Sequence, residues 1–127
     1  MIYLKHKATS GKLPTSEYEL FDNENLVGKI QIRQTPSHGI SIPESMASHI
    51  YYEIIPEYRS MGYGKQILTL GLEEAKKNNL KEVFVSCMED NIGSKKVIEA
   101  NGGVFVEDAM IPEEGRKMLK YHILISN

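Results

Sequence analysis

The feature that most constrains this chain is an abrupt change of hydrophobic period between residues 49 and 77. His49-Ile50-Tyr51-Tyr52-Glu53-Ile54-Ile55 is rich in β-branched and aromatic side chains and is stopped by Pro56, so it reads as a strand. From about Tyr63 the spacing turns helical. Ile67, Leu68, Gly71, Leu72 and Ala75 share one face, and Glu73 and Lys77 sit four apart on the wet side. Between strand and helix lies Arg59-Ser60-Met61-Gly62-Tyr63-Gly64-Lys65. Two glycines one residue apart allow a tight turn and let an anion approach the backbone with no Cβ in the way. The amides of such a turn lie at the positive end of the helix, where phosphate oxygens bind. A plain glycine turn is the competing reading, since short glycine patterns recur by chance.

The other segments build a sheet around that unit. Ile2 to Ala8 reads as a short strand ended by the turn-rich Ser10-Gly11-Lys12-Leu13-Pro14. Glu17 to Phe21 and Leu26 to Gln34 read as strands joined by Asp22-Asn23-Glu24-Asn25. In the second of these, Leu26, Gly28, Ile30 and Ile32 alternate with Val27, Lys29, Gln31 and Arg33, the pattern of a sheet covered on one face. Residues 35–48 read as a long connection. Asn78-Asn79 ends the first helix, and Val83-Phe84-Val85 reads as a central strand buried on both faces. A second helix is predicted over Ile92 to Ala100, with Asn91 as N-cap and Gly102 or Gly103 as the left-handed exit. Val104 to Val106 and Lys117 to Ile125 close the chain as strands around Pro112-Glu113-Glu114-Gly115. The fold class that follows is α/β in the mixed α+β sense, a mixed sheet with helices packed on it.

Composition removes several alternatives. At 127 residues a single domain covering 1–127 is expected, and 41% hydrophobic with 25% charged residues is the balance of a globular chain. The net charge of −2 is spread evenly, which gives no support to a nucleic-acid-binding arm. Cys87 is the lone cysteine, so neither an intrachain disulfide nor a multi-cysteine zinc site can form. It reads as a small buried hydrophobe. His6, His38 and His122 are scattered without ligand spacing, and no metal is expected. No apolar run reaches the ~18 residues of a membrane span, and the start lacks the pattern of a secretory leader. A cytoplasmic protein with no nucleic-acid or membrane partner is expected.

Two nucleotide motifs fail at the glycine turn. Gly62 and Gly64-Lys65 lack the spacing of a G-x-x-x-x-G-K-[ST] loop, and Ile67 stands where a dinucleotide fingerprint needs a third small residue. What fits is R-x-x-G-x-G after a strand ending in I-x-P. This resembles the pyrophosphate-binding motif of the GCN5-related N-acetyltransferases. Downstream, Asn91-Ile92-Gly93-Ser94 and the run on to Gly102-Gly103 look like that family's second CoA segment. The resemblance covers roughly residues 17–125 and is specific between Tyr51 and Gly103. It is nearest to a bacterial subgroup of predicted acetyltransferases with no assigned acceptor, and it puts the CoA-binding core at about residues 49–103.

The resemblance implies an acyl-CoA N-acyltransferase-like fold, a twisted mixed sheet with splayed central strands and two main helices. Only about ten residues join Ala8 to Tyr18, too few for the two helices the family usually carries there, so a reduced N-terminal helical region is expected. Acetyl-CoA, as co-substrate, would lie between the Glu53–Ile54 strand and the Val83–Val85 strand. Its pantetheine arm would add to the edge at Ile54. Arg59, Ser60, Met61, Gly62, Tyr63, Gly64 and Lys65 would hold the pyrophosphate, and Asn91 and Ser94 would face the pantetheine. The implied enzyme is an acetyl-CoA-dependent N-acetyltransferase, in which a small-molecule or peptide amine attacks the thioester directly. The alternative is a non-catalytic acyl-CoA-binding module of the same fold. Many family members carry a tyrosine where this chain has Ile98, and some carry a glutamate where it has Ser86. Ile98 therefore either faces the sulfur or belongs to the core. Candidate proton carriers from the residues themselves are His49, Tyr51, Tyr52 and Glu53. Strand alternation puts His49, Tyr51 and Glu53 opposite Ile50, Tyr52 and Ile54, and Glu53 is assigned as proton acceptor through water. The missing helical layer leaves either the 35–48 loop or a second chain to complete the acceptor site, and a homodimer is expected.

Overall fold

The computed structural model describes residues 1–10 and 14–125, so the Gly11-Lys12-Leu13 part of the predicted turn lies outside the described residues. Strands β1 (Ile2–Ser10), β2 (Thr15–Asp22), β3 (Asn25–Ser37) and β4 (Ser48–Ile54) form one antiparallel sheet in that order. Strands β5 (Glu82–Met88), β6 (Val104–Ile111) and β7 (Arg116–Leu124) form a second, with β7 in the middle. Helix α1 (Tyr63–Lys77) connects β4 to β5, and α2 (Ile92–Ala100) connects β5 to β6. β4 and β5 lie side by side without a hydrogen-bonded ladder, which is the splay the fold was expected to have. β1 pairs directly with β2, Ser10 opposite Thr15, so no helical layer stands between the first two strands.

Local sequence explains where this departs from the simple pattern. Leu20 pairs with Gly28 and Phe21 with Leu26, so Val27 is an extra residue in β3. That bulge flips the parity: Val27 is fully buried and Leu26 is exposed, while the expected alternation resumes at Gly28, Ile30 and Ile32. β3 also runs on to Ser37, past a second irregularity after Ile32. The predicted loop therefore shrinks to residues 38–47, which hold one 3₁₀ turn (Glu44–Met46) that buries Met46. Val83-Phe84-Val85 is not buried on both faces. β5 is the edge of its sheet, with Val83 and Val85 buried and Phe84 half-buried.

One core joins the two sheets and both helices. Ile30 and Ile50 from the first sheet meet Ile67 and Leu68 of α1, Ile98 of α2 and Tyr121 of β7 in a single cluster. Each fully buried aliphatic side chain contributes about 1.5–3 kcal/mol relative to exposure. α1 approaches β3 closely because Gly71 has no side chain; a Cβ there would stand 2.5 Å from Ile30 Cδ1. On its wet side Lys77 pairs with Glu74 at 3.0 Å rather than with Glu73. α2 begins and ends as its sequence predicts. Asn91 Oδ1 accepts the Ser94 N–H at 3.1 Å, and Gly102 makes the left-handed exit at φ +86°. Among the described residues no helix is long and apolar enough to cross a membrane.

Candidate active site

Where β4 and β5 part, a cleft of about 1110 Å³ opens, lined by β4 from Ile50 to Ile54, by β5 from Val85 to Met88, and by the starts of α1 and α2. One end of the gap is closed by side chains. The Phe84 N–H of β5 donates to Nδ1 of His49 on β4 at 3.0 Å, and Ser86 Oγ donates to the Met46 carbonyl at 2.9 Å. His49 is only 7% exposed and stacks on the Phe84 ring. Accepting at Nδ1 fixes it as the neutral Nε2–H tautomer. Burial lowers its pKa, Glu82 opposes that shift and Lys120 adds to it.

The other end runs into the glycine turn. Ser60 and Gly62 both adopt positive φ, +63° and +87°. Gly62 is the N-cap of α1 and offers no side-chain bond to the first-turn amides, which also have no acidic residue beside them. A Cβ on Gly62 would meet nothing within 4 Å, so the space in front of these amides is open. Gly64 adds a packing role. A Cβ there would stand 3.3 Å from Val97 Cγ2, so this glycine also brings α1 close to α2. The turn is anchored on both sides: Arg59 Nε donates to the Ile54 carbonyl at 3.1 Å, and the Tyr63 hydroxyl donates to the Asp22 carboxylate. Uncapped amides at the positive end of a 15-residue helix suit a diphosphate.

Of the residues assigned from sequence, Glu53, Ile54, Arg59, Ser60, Gly62, Tyr63, Gly64, Lys65, Asn91 and Ser94 all line this one cleft. Met61 does not; it is 64% exposed. Ile98 is fully buried against Gly103, with Ser94 and Val97 of α2 facing the cleft instead, so it belongs to the core. Cys87 lines the cleft, but burial pushes its thiol up to about 11, which keeps it protonated and unreactive. Tyr52 stands across from Ser94. Its Oη is the only buried side-chain nitrogen or oxygen without a hydrogen-bond partner within 3.5 Å among the described residues. Burial raises its pKa, with the Ser94 side chain opposing the shift and Cys87 adding to it. The Tyr121 hydroxyl points to Glu99 at 3.4 Å, away from the cleft lining.

The expected alternation on β4 holds, with Ile50 buried and Tyr51 48% exposed. Tyr51 donates to Glu53 Oε2 at 3.2 Å, and burial first, then the carboxylate, raise the phenol's pKa. Glu53 Oε1 has no partner among the described residues. Sequence reasoning missed Arg33, which lines the same cleft from β3 and is half-buried. The alternation in β3 put Arg33 on the wetter face, but only the neighbouring strand reveals that this face borders the cleft.

A family model described as the acetyltransferase (GNAT) family matches residues 6–102. No significant sequence match was found among curated proteins. Among solved structures, the chain is similar to a spermidine N-acetyltransferase SpeG chimera from Vibrio cholerae and hSSAT, at 18% identity and a TM-score of 0.66. That alignment covers 87% of this chain and 67% of the other. It is also similar to the Salmonella typhimurium acetyltransferase that modifies the N-terminal serine of ribosomal protein L7/L12. There the identity is 16%, the TM-score 0.68, and the coverage 88% and 64%. A third similar structure is RimL, a ribosomal L7/L12 α-N-protein acetyltransferase in complex with coenzyme A, at 16% identity and TM-score 0.67, covering 87% and 62%. This chain thus spans less than two-thirds of the two L7/L12-modifying chains. At these identities the likeness speaks for the fold.

Proposed function

The chain belongs to the acetyltransferase (GNAT) family, and on that premise we propose that it moves an acetyl group from acetyl-CoA to an amine in the cleft between β4 and β5. The observation that carries this reading is the continuity of the cleft: a gap between unpaired strands runs into uncapped helix amides at Ser60–Lys65. The amides would take the pyrophosphate, with Arg59 and Lys65 adding positive charge. The pantetheine would lie along the free edge of β4 at Ile54. Asn91 has committed its Oδ1 to the helix cap, so its NH₂ remains to donate to a pantetheine carbonyl.

In the reaction, the amine lone pair attacks the thioester carbonyl carbon, a C–N bond forms, and the C–S bond breaks as the tetrahedral intermediate collapses. Glu53 takes the ammonium proton, directly or through one water, at its unengaged Oε1. The departing thiolate takes a proton from Tyr52, the phenol that lines the cleft and holds its proton because burial disfavours the phenolate. Ser86, where some family members carry a glutamate, is engaged with Met46 and plays no part in the proton transfers.

The alternative, a non-catalytic acyl-CoA-binding module, draws on the missing helical layer and on Ile98, a core isoleucine where many family members carry a tyrosine. Calorimetric titration with acetyl-CoA, followed by free-thiol release over a panel of amines, separates the two. Binding without thiol release for any amine would favour the module. The cytoplasmic assignment rests on composition, and the homodimer reading rests on β6. This edge strand exposes Val104, Phe105, Val106 and Met110. A monomer in sedimentation at micromolar concentration would overturn the dimer.

A further inference from the structure

Two arginines of this chain are treated in opposite ways. Arg116 lies at the surface and is held by two carboxylates, Asp90 at 2.8 Å and Glu114. Arg33 is half-buried at the cleft and has no carboxylate within 4 Å among the described residues. Its contacts are long and to neutral acceptors: Nη1 donates to the Ser48 carbonyl at 3.4 Å and Nη2 to Gln31 Oε1 at 3.3 Å. Glu17, two positions along β2 from Thr15, the partner of Arg33, is occupied by Gln31 Nε2 at 3.0 Å. A guanidinium drawn out of water without a counter-ion is costly, and buried charges are ordinarily paired. Desolvation alone lowers the Arg33 pKa, with no neighbouring acid to offset it.

The position of Arg33 says what an anion there would belong to. Gln31 pairs with Tyr51 and Lys29 with Glu53, so Arg33 shares the face of β3 and β4 that carries Tyr51 and Glu53. The charged side chains lining the cleft are Arg33, Glu53, Arg59 and Lys65, and His38 lines it as well. Arg59 and Lys65 lie at the glycine turn, where the pyrophosphate is assigned. The acceptor half is left with one carboxylate and one unpaired guanidinium. A polyamine, with several positive charges, would find one favourable partner and one repulsive one. An amine that carries a carboxylate would find both charges matched, the amine at Glu53 and the carboxylate on the planar fork of Arg33.

Resting on the acetyltransferase reading of the same cleft, we infer that the acceptor is an amino carboxylate, recognised through its carboxylate by Arg33. The class is that of amines whose carboxylate lies several bonds away, such as longer ω-amino acids. Arg33 stands four residues along β3 from Lys29, the partner of Glu53, about 13 Å of strand. The polyamines that the SpeG proteins are named for lie outside the class.

The test compares matched pairs, a long ω-amino acid with its carboxamide and with the diamine of equal length, alongside spermidine. Thiol release and direct binding by calorimetry are both measured. The carboxylate member should have a KM and a Kd at least tenfold lower than its neutral or cationic partner. Arg33→Gln should raise both constants at least tenfold for the carboxylate while leaving the carboxamide and the acetyl-CoA affinity unchanged. Arg33→Lys keeps the charge without the fork and should fall between, which guards against a variant that merely folds poorly. Equal affinity within the pairs, preference for spermidine, or an Arg33→Gln loss shared by all ligands would overturn the inference. Direct binding separates the two levels of the proposal. Arg33-dependent carboxylate binding without thiol release would sink acetyl transfer and leave the carboxylate site standing, whereas release without carboxylate preference would do the reverse.

Discussion

Phe84 and the first turn of α1 both present backbone N–H groups near the gap between β4 and β5, yet the molecule treats them in opposite ways. At Phe84 the donor is filled from within by His49 Nδ1, at 3.0 Å in a buried setting. At α1 the cap is Gly62, which has no side chain to offer, and the amides stay open. α2 lies between these extremes, with Asn91 filling one of its donors. An N–H cut off from water costs free energy if it is left unfilled, so a structural seam is sealed from inside the chain. Donors at a ligand site are left for the ligand. Tyr52 Oη, buried and unpartnered, belongs with the open groups.

The largest expected effect tests that last assignment. If Tyr52 Oη is an open group that serves the thiolate, Tyr52→Phe should lower kcat by about 10²-fold, in the range of lost general acid catalysis. It should leave acetyl-CoA affinity unchanged and the melting temperature equal or higher, since an unfilled polar atom is removed from a buried place. A variant with wild-type turnover would strike Tyr52 from the mechanism.

Opening the sealed end should show in stability. His49→Leu strands the Phe84 N–H and should destabilise the fold by ~2 kcal/mol, the usual range for a buried donor left unfilled. His49→Asn places an oxygen acceptor at similar reach and should recover most of that loss. The same histidine sets an acid dependence with a definite sign. Its pKa is lowered from the ordinary 6.5, with burial as the main cause, Glu82 opposing and Lys120 reinforcing the shift. A group held below its unfolded value binds fewer protons when folded, so its contribution is complete above about pH 6.5 and fades as the pH falls through and below that value. Denaturant titrations of wild type and His49→Leu at several pH values should therefore converge toward acid pH. Parallel curves would show that His49 does not titrate against the fold.

Closing the open end should show in binding. Gly62→Asp adds a Cβ at φ +87° and a negative charge facing the pyrophosphate position, and should weaken acetyl-CoA binding at least tenfold, ~1.4 kcal/mol. The same change at Gly64 would instead press on Val97. Calorimetry that finds Gly62→Asp binding like wild type would remove the turn from the cleft's function.

How much of this was legible beforehand depended on the range of the interaction responsible. The glycine turn, the start and end of α2, the apolar face of α1 and the alternation on β4 are set by residues within one or two turns of chain. Their φ preferences, caps and periods are written locally, and they emerged as read. The sequence also determined, by length alone, that β1 and β2 join without an intervening helical layer.

Tertiary structure decided the rest, because those outcomes depend on which strand lies next to which. Val27 turns inward only because β2 supplies one residue where β3 supplies two. Gly64 serves helix packing because α2 brings Val97 to it. Ile98 falls into the core because α2 turns Ser94 and Val97 toward the gap. Above all, nothing in the local pattern of β3 distinguishes Arg33 from an ordinary wet-face arginine. It becomes a half-buried charge without a counter-ion only when β3 has paired with β4 and the cleft has formed over it, since burial and the absence of a partner are properties of the assembled neighbourhood and of no single segment.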